Sequence, residues 1–232
     1  ERMRYGWLDI YDRLPPLAKT RPAFIGLGHA GKGGRTCVYY LRQALSKLPE
    51  YYRPFRDTEV FVDIGSIQES NRPHAVIFLD DFVGTGEDAT RRLKQYFKTY
   101  NWLNSVPVWF CAFAGFTSGV DLIKSQLGIA IRDVIVSKEG QLNERDRAFS
   151  DSNPMWTSNE ERIRAQRWAQ AIGYEILVGN AKYDPARTKL GWGNSQALVA
   201  FHHNVPNNTL PVFWATGQRK GKKWIPLLDR FD

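Results

Sequence analysis

Val76 to Ala89 reads VIFLDDFVGTGEDA, and the fold is decided there. The run from Ala75 to Leu79 is apolar and rich in β-branched residues, and it is bounded by Pro73 and two aspartates. This is the pattern of a parallel strand buried on both faces. The strand delivers adjacent carboxylates, Asp80 and Asp81, to its carboxyl end. A tight turn, Gly84-Thr85-Gly86, then leads into a helix expected over residues 89–100. Open α/β sheets bind ligands outside the carboxyl ends of their strands. Here carboxylates can accept hydrogen bonds from sugar hydroxyls, Gly84 and Gly86 allow close backbone approach, and the helix start aims amides at an anion. Solvated aspartates before an ordinary glycine turn would account for each piece, but the pieces in this order suit a sugar phosphate.

Upstream, Phe24 to Leu27 forms a short apolar strand that runs into Gly28-His29-Ala30-Gly31-Lys32-Gly33-Gly34-Arg35 and then a helix expected over 36–47. Four glycines with Lys32 and Arg35 make a natural polyanion cradle, although a flexible turn carrying two solvated cations has the same composition. A second strand is expected over 59–64. Downstream, strands are expected over 106–113 and 131–137, with a helix over 118–127 between them. Ser158-x-x-Glu161 matches a capping box that opens a helix stopping near Gly173. Strands alternating with helices at this spacing predict an α/β fold, a mostly parallel central sheet with helices on both faces. The expected division is an N-terminal extension over 1–22, the α/β core over 23–180, and a loop-rich C-terminal subdomain over 181–232 packed as a cap on the core. The polar stretch 143–153 has the character of a mobile lid.

Composition narrows the class. The 232 residues carry 32 Lys and Arg against 24 Asp and Glu, a formal charge of +8 that favours anionic partners. Two cysteines, with no CxxC and no Cys/His cluster, point to a reducing cytoplasm and away from a structural zinc site. No signal peptide or membrane-spanning run is evident, so no membrane partner is expected. The chain opens on Glu1 rather than Met, which leaves room for residues upstream. Gly26 to Lys32 also fits GxxxxGK, and Val76 to Asp80 could serve as the acidic strand of a P-loop ATPase. Gly33, however, stands where a P-loop needs a hydroxyl to hold Mg²⁺. Arg219-Lys220-Gly221-Lys222-Lys223 could meet nucleic acid phosphates, although such a run is more often a solvated hairpin tip.

The strand, the two acids and the TG turn resemble the phosphoribosyl diphosphate motif of type I phosphoribosyltransferases. The resemblance implies that Asp80 and Asp81 hold the ribose hydroxyls and that Val83, Gly84, Thr85, Gly86, Glu87 and Asp88 wrap the 5′-phosphate. It further implies that Lys32 and Arg35 meet the pyrophosphate, with Mg²⁺ bound mainly through the pyrophosphate itself. Glu87 and Asp88 depart from the small residue and threonine usual after TG. Two carboxylates beside a phosphate weaken binding unless they point outward. That departure motivates an alternative: a catalytically impaired module with the same fold that senses a nucleotide or docks a partner. Leu190 to Trp214, LGWGNSQALVAFHHNVPNNTLPVFW, together with LDDFVGTG, is similar to the phosphoribosyltransferase-like effectors of bacterial conflict systems found in anti-phage operons and retron loci. That similarity implies a toxin-like effector in antiviral defence, with partners such as an ATPase or a reverse transcriptase with its RNA and DNA. Asn194, Asn207 and Asn208 would then line an acceptor pocket, unless they simply shape turns.

Overall fold

Four apolar strands at the centre of the chain explain most of what surrounds them. The computed structural model describes residues 2–28, 33–47, 63–228 and 230. Contacts divide the chain into two units, Glu1–Gln141 and Leu142–Asp232. In the first, β1 (Pro22–Gly26), β2 (Ala75–Val83), β3 (Val108–Phe116) and β4 (Asp133–Val136) lie in the order β1-β2-β3-β4, each parallel to the next. Ile25 pairs with Phe78, Phe78 with Phe110, and Phe110 with Val134.

Alternate side chains leave opposite faces of a strand, and here both sets are buried. Phe24, Ile77, Leu79, Trp109, Cys111 and Ile135 pack with Trp7, Ile10 and Tyr11 of α1 (Arg2–Arg13) and with Cys37, Leu41 and Leu45 of α2 (Gly33–Ser46). On the other face, Ile25, Val76, Phe78, Phe110 and Val134 meet Leu93 of α3 (Glu87–Thr99) and Ile123 of α4 (Thr117–Leu127). The protein is therefore α/β, with a parallel sheet between helices, as the alternating pattern predicts. The element bounds differ from expectation by a few residues, most usefully in β2, which runs on past both aspartates to Val83.

Residues 2–13 form a full helix on the sheet, and Trp7 is completely buried. Arg13 donates to the carbonyl of Val136, at the end of β4, and Asp9 accepts from the amide of Lys138 at 2.9 Å. The strand expected over 59–64 falls largely outside the described residues. Of its end, Asp63 caps a 3₁₀ turn, Ile64–Ser66, by accepting from Gly65 N. Among the described residues no helix is long and apolar enough to cross a membrane.

The unit Leu142–Asp232 is built on α5 (Asn159–Leu177), which buries Ile172, Ile176 and Leu177 against Tyr183, Val205 and Trp214. Ser158 caps it by accepting from Glu161 N at 3.1 Å, as its capping-box spacing predicts. The helix does not stop at Gly173. A Cβ there would lie 2.2 Å from the carbonyl oxygen of Lys189, so this glycine allows a close approach mid-helix and does not end the helix. The stretch 143–153 is not a loose lid. Arg147 donates to the Ser195 carbonyl at 2.6 Å, Ala148 N to Gln196 O at 2.8 Å, and Asn153 to the Arg147 carbonyl at 2.8 Å. Its polar side chains bond back to the chain, which composition alone does not reveal. A hairpin, β5 (Gly217–Arg219) with β6 (Lys222–Trp224), packs on α5.

Candidate functional site

The carboxyl end of β2 brings together three features. First, adjacent aspartates on a strand point to opposite faces. Asp81 is almost fully buried on the α2 side, where its carboxylate lies against Gly33 so closely that a Cβ there would be 2.0 Å from Oδ2. Asp80, half-buried on the α3 side, accepts a hydrogen bond from the Asp81 amide at 3.0 Å. Burial first, then the charges of Asp81 and Asp88, push the Asp80 carboxyl well above the usual carboxylate range. The Asp81 amide and the charge of Arg92 offset this only in part. Such a carboxylate costs stability where it stands, and groups perturbed in this way gather at functional sites.

The second feature is the turn. Gly86 has φ +80° and stands immediately before α3, a conformation open to glycine at little cost. A Cβ on Gly86 would lie 2.3 Å from the carbonyl oxygen of Gly119, and a Cβ on Gly119 would lie 2.3 Å from that of Gly84. The turn and the first turn of α4 thus meet backbone to backbone. Thr85 is half-buried, and its Oγ1 accepts from Glu87 N at 3.4 Å. Gly86, the N-cap residue, brings no side-chain acceptor to the amides that open α3. Unsatisfied amides at a helix start form an anion-binding geometry.

The third feature is how the two acids after the turn are disposed. Asp88 is turned back along α3, where Arg92 Nε donates to it at 2.6 Å and Arg91 pairs with it as well. Its partial burial pushes the carboxyl up, but the bonds and charges of Arg92 and Arg91 outweigh this and hold it below the ordinary value. The Arg92 side chain is largely buried, with 17% of its surface exposed. Glu87 is exposed. The i, i+4 spacing of Asp88 and Arg92 was the sequence signal for this pairing.

At the end of β1, Gly26, Gly28, Arg35, Asp63 and Tyr96 line a cleft of about 270 Å³. Arg35 pairs with Asp63 at 2.7 Å, both side chains more than half exposed. Lys32 lies outside the described residues. Gly33 and Gly34 have packing reasons beyond flexibility: a Cβ on Gly34 would be 2.5 Å from both N and O of Leu27, so α2 starts directly against the ends of β1 and β2. Gly119, which sequence reasoning passed over, makes room for the turn. The three asparagines of the C-terminal motif shape the chain. Asn208 O accepts from Ser195 Oγ at 2.7 Å, Asn207 O accepts from Trp192 N at 2.8 Å, and Asn194 has φ +53°.

A parallel sheet with helices on both faces, carrying paired acids and a glycine turn at one strand end, defines a phosphoribosyltransferase-like α/β protein. A family model, PRTase-CE, matches residues 16–230, through both units. The chain belongs to the PRTase-CE family. No curated protein matches it. Among solved structures it is similar to orotate phosphoribosyltransferase from Aeropyrum pernix, at 16% identity and a TM-score of 0.37, over 58% of this chain and 69% of that one.

Proposed function

We propose that the protein binds phosphoribosyl diphosphate, or a related ribose phosphate, at the carboxyl end of β2. The observation that carries this reading is the turn itself, a close-packed glycine bend that runs from the end of β2, just beyond Asp80 and Asp81, into the uncapped start of α3. In this reading the turn holds the 5′-phosphate, Asp80 accepts from a ribose hydroxyl, and the loop that ends at Arg35 meets the pyrophosphate. Arg35 would release Asp63 to do so. In this reading Asp88 is held along α3 by Arg91 and Arg92, and Glu87 stays in solvent, so neither carboxylate takes the place of the phosphate.

Among the described residues no group of three or more His, Cys, Asp or Glu could hold a metal. Asp80 suits a shared role, because a nearby cation would relieve the repulsion that raises its carboxyl. A Mg²⁺ would thus be carried mainly by the ligand's own phosphate oxygens, and it would neutralise charge on the leaving pyrophosphate. The protein's part is to fix the ribose and shield the reacting centre, which favours transfer or hydrolytic removal of the phosphoribosyl group. The resemblance of the LDDFVGTG and LGWGNSQ segments to conflict-system effectors is what supports a further reading, an effector role in anti-phage defence.

Titration calorimetry with phosphoribosyl diphosphate and Mg²⁺ tests the site. Binding is expected in the wild type and should weaken at least tenfold in Asp80→Asn, because a hydrogen bond to a charged acceptor is worth about 1.5–3 kcal/mol. Absence of binding heat with phosphoribosyl diphosphate, ribose 5-phosphate and nucleoside monophosphates at millimolar concentration would overturn the reading. Pyrophosphate release then separates an enzyme from a sensor.

A further inference from the structure

We propose that the unit Leu142–Asp232 carries a binding surface for single-stranded nucleic acid, centred on Trp168. This surface is separate from the ribose-phosphate reading, and neither depends on the other.

Trp168 lies on α5 with 60% of its surface exposed, an unusual state for the largest apolar side chain. Its surroundings are charged. Arg164 and Arg167, at i−4 and i−1 on the same helix, are exposed. The guanidinium of Arg219, from β5, stacks over the indole at 5.5 Å. That contact is built in, because β5 packs tightly on the helix: a Cβ on Gly217 would lie 2.0 Å from the Ile176 carbonyl oxygen. Lys220 and Gly221 form a two-residue turn with φ of +50° and +72°, which gives the hairpin its tight reversal and leaves Lys222 and Lys223 exposed on its return strand. Lys222 pairs across from Arg219, so the two share a face of the hairpin.

Two shallow hollows flank the ring, of about 500 and 800 Å³, the first reaching Trp156 and the second bounded by Ile163 and Arg167. Arg164, Arg167 and Arg219 thus stand beside an exposed indole, and Lys222 shares the hairpin face that carries Arg219. Opposing them are Glu160 and Glu161 at the start of α5 and Glu175, whose Oε2 lies 3.5 Å from Arg219 Nε. A cationic surface around an open aromatic face matches a polyanion with flat apolar groups. Phosphates pair with the cations while an unpaired base stacks on the indole. A duplex keeps its bases stacked on each other and could use the cations alone.

The test is fluorescence anisotropy of the full chain with labelled oligothymidylate and oligouridylate of about twelve nucleotides at low salt. Binding to at least one is expected, weakening as salt rises with a log–log slope of about −0.7 per phosphate contacted. Trp168→Ala should weaken it at least fivefold, and the pairs Arg164→Glu with Arg167→Glu and Lys222→Glu with Lys223→Glu each at least tenfold. All these positions are exposed or half-exposed, and unchanged melting curves would show that the variants fold. The proposal is overturned if the wild type binds neither oligonucleotide or if Trp168→Ala binds as the wild type does. It is equally overturned if duplex DNA or polyglutamate competes as well as the single strand, which would make the surface a site for acidic partners in general.

Discussion

Asp80 is the residue at which fold and function pull apart. An acid whose folded pKa lies above its unfolded value stabilises the fold only while it is protonated. That contribution is present at low pH and is lost as pH rises from the ordinary 3.8 through the raised value. Asp88 behaves oppositely: its stabilisation is present above its unfolded value and is lost as pH falls through its lowered one. Asp80→Asn keeps an oxygen to accept from the Asp81 amide and removes the half-buried charge. Its melting temperature should therefore exceed that of the wild type at pH 7 by roughly 2–4 °C, about 1 kcal/mol for a chain of this size. The gap should shrink as pH falls toward 4, and a variant less stable at pH 7 would show that the charge is well accommodated. The identity of this residue was legible in the sequence, but its orientation was not. Two adjacent acids read alike in one dimension, whereas the strand sends Asp81 against Gly33 and Asp80 toward α3.

Between elements, glycines carry the geometry of the site. Gly119 lets α4 start against the turn, and an added methyl would meet the Gly84 carbonyl oxygen at 2.3 Å. Backbone cannot swing aside as a side-chain tip can, so Gly119→Ala should cost about 1–3 kcal/mol in thermal denaturation. It should also shift the turn and weaken any ligand held there. Gly65→Ala is the control, because its added methyl would make only ordinary contacts at 3.5 Å and 3.7 Å. Equal melting temperatures for the two variants would refute the close-packing argument. The strands and the turn were readable because apolar runs and a GTG after acids have few other uses. Gly33, Gly34 and Gly173 were read as loop or terminator residues, because sequence does not distinguish a glycine needed for flexibility from one needed for proximity. The hold on residues 143–153 was likewise hidden, since it depends on backbone carbonyls of Ser195 and Gln196 some fifty residues later.

For the whole chain, the family match begins at residue 16, after the helix that covers one face of the sheet. Trp7 and Ile10 are both fully buried there, and Trp7→Ala should cost roughly 3–5 kcal/mol. A chain starting at residue 16 would leave Ile77, Trp109 and Ile135 without their cover. It should bind a hydrophobic dye and melt well below the full chain, whereas an unchanged melt would mean that α1 is dispensable. The boundary recognisable by kinship and the boundary needed for self-assembly are therefore different places in this polypeptide. An expression clone trimmed to the former would yield sticky, half-clad protein, and its inactivity would say nothing about the chemistry of the site.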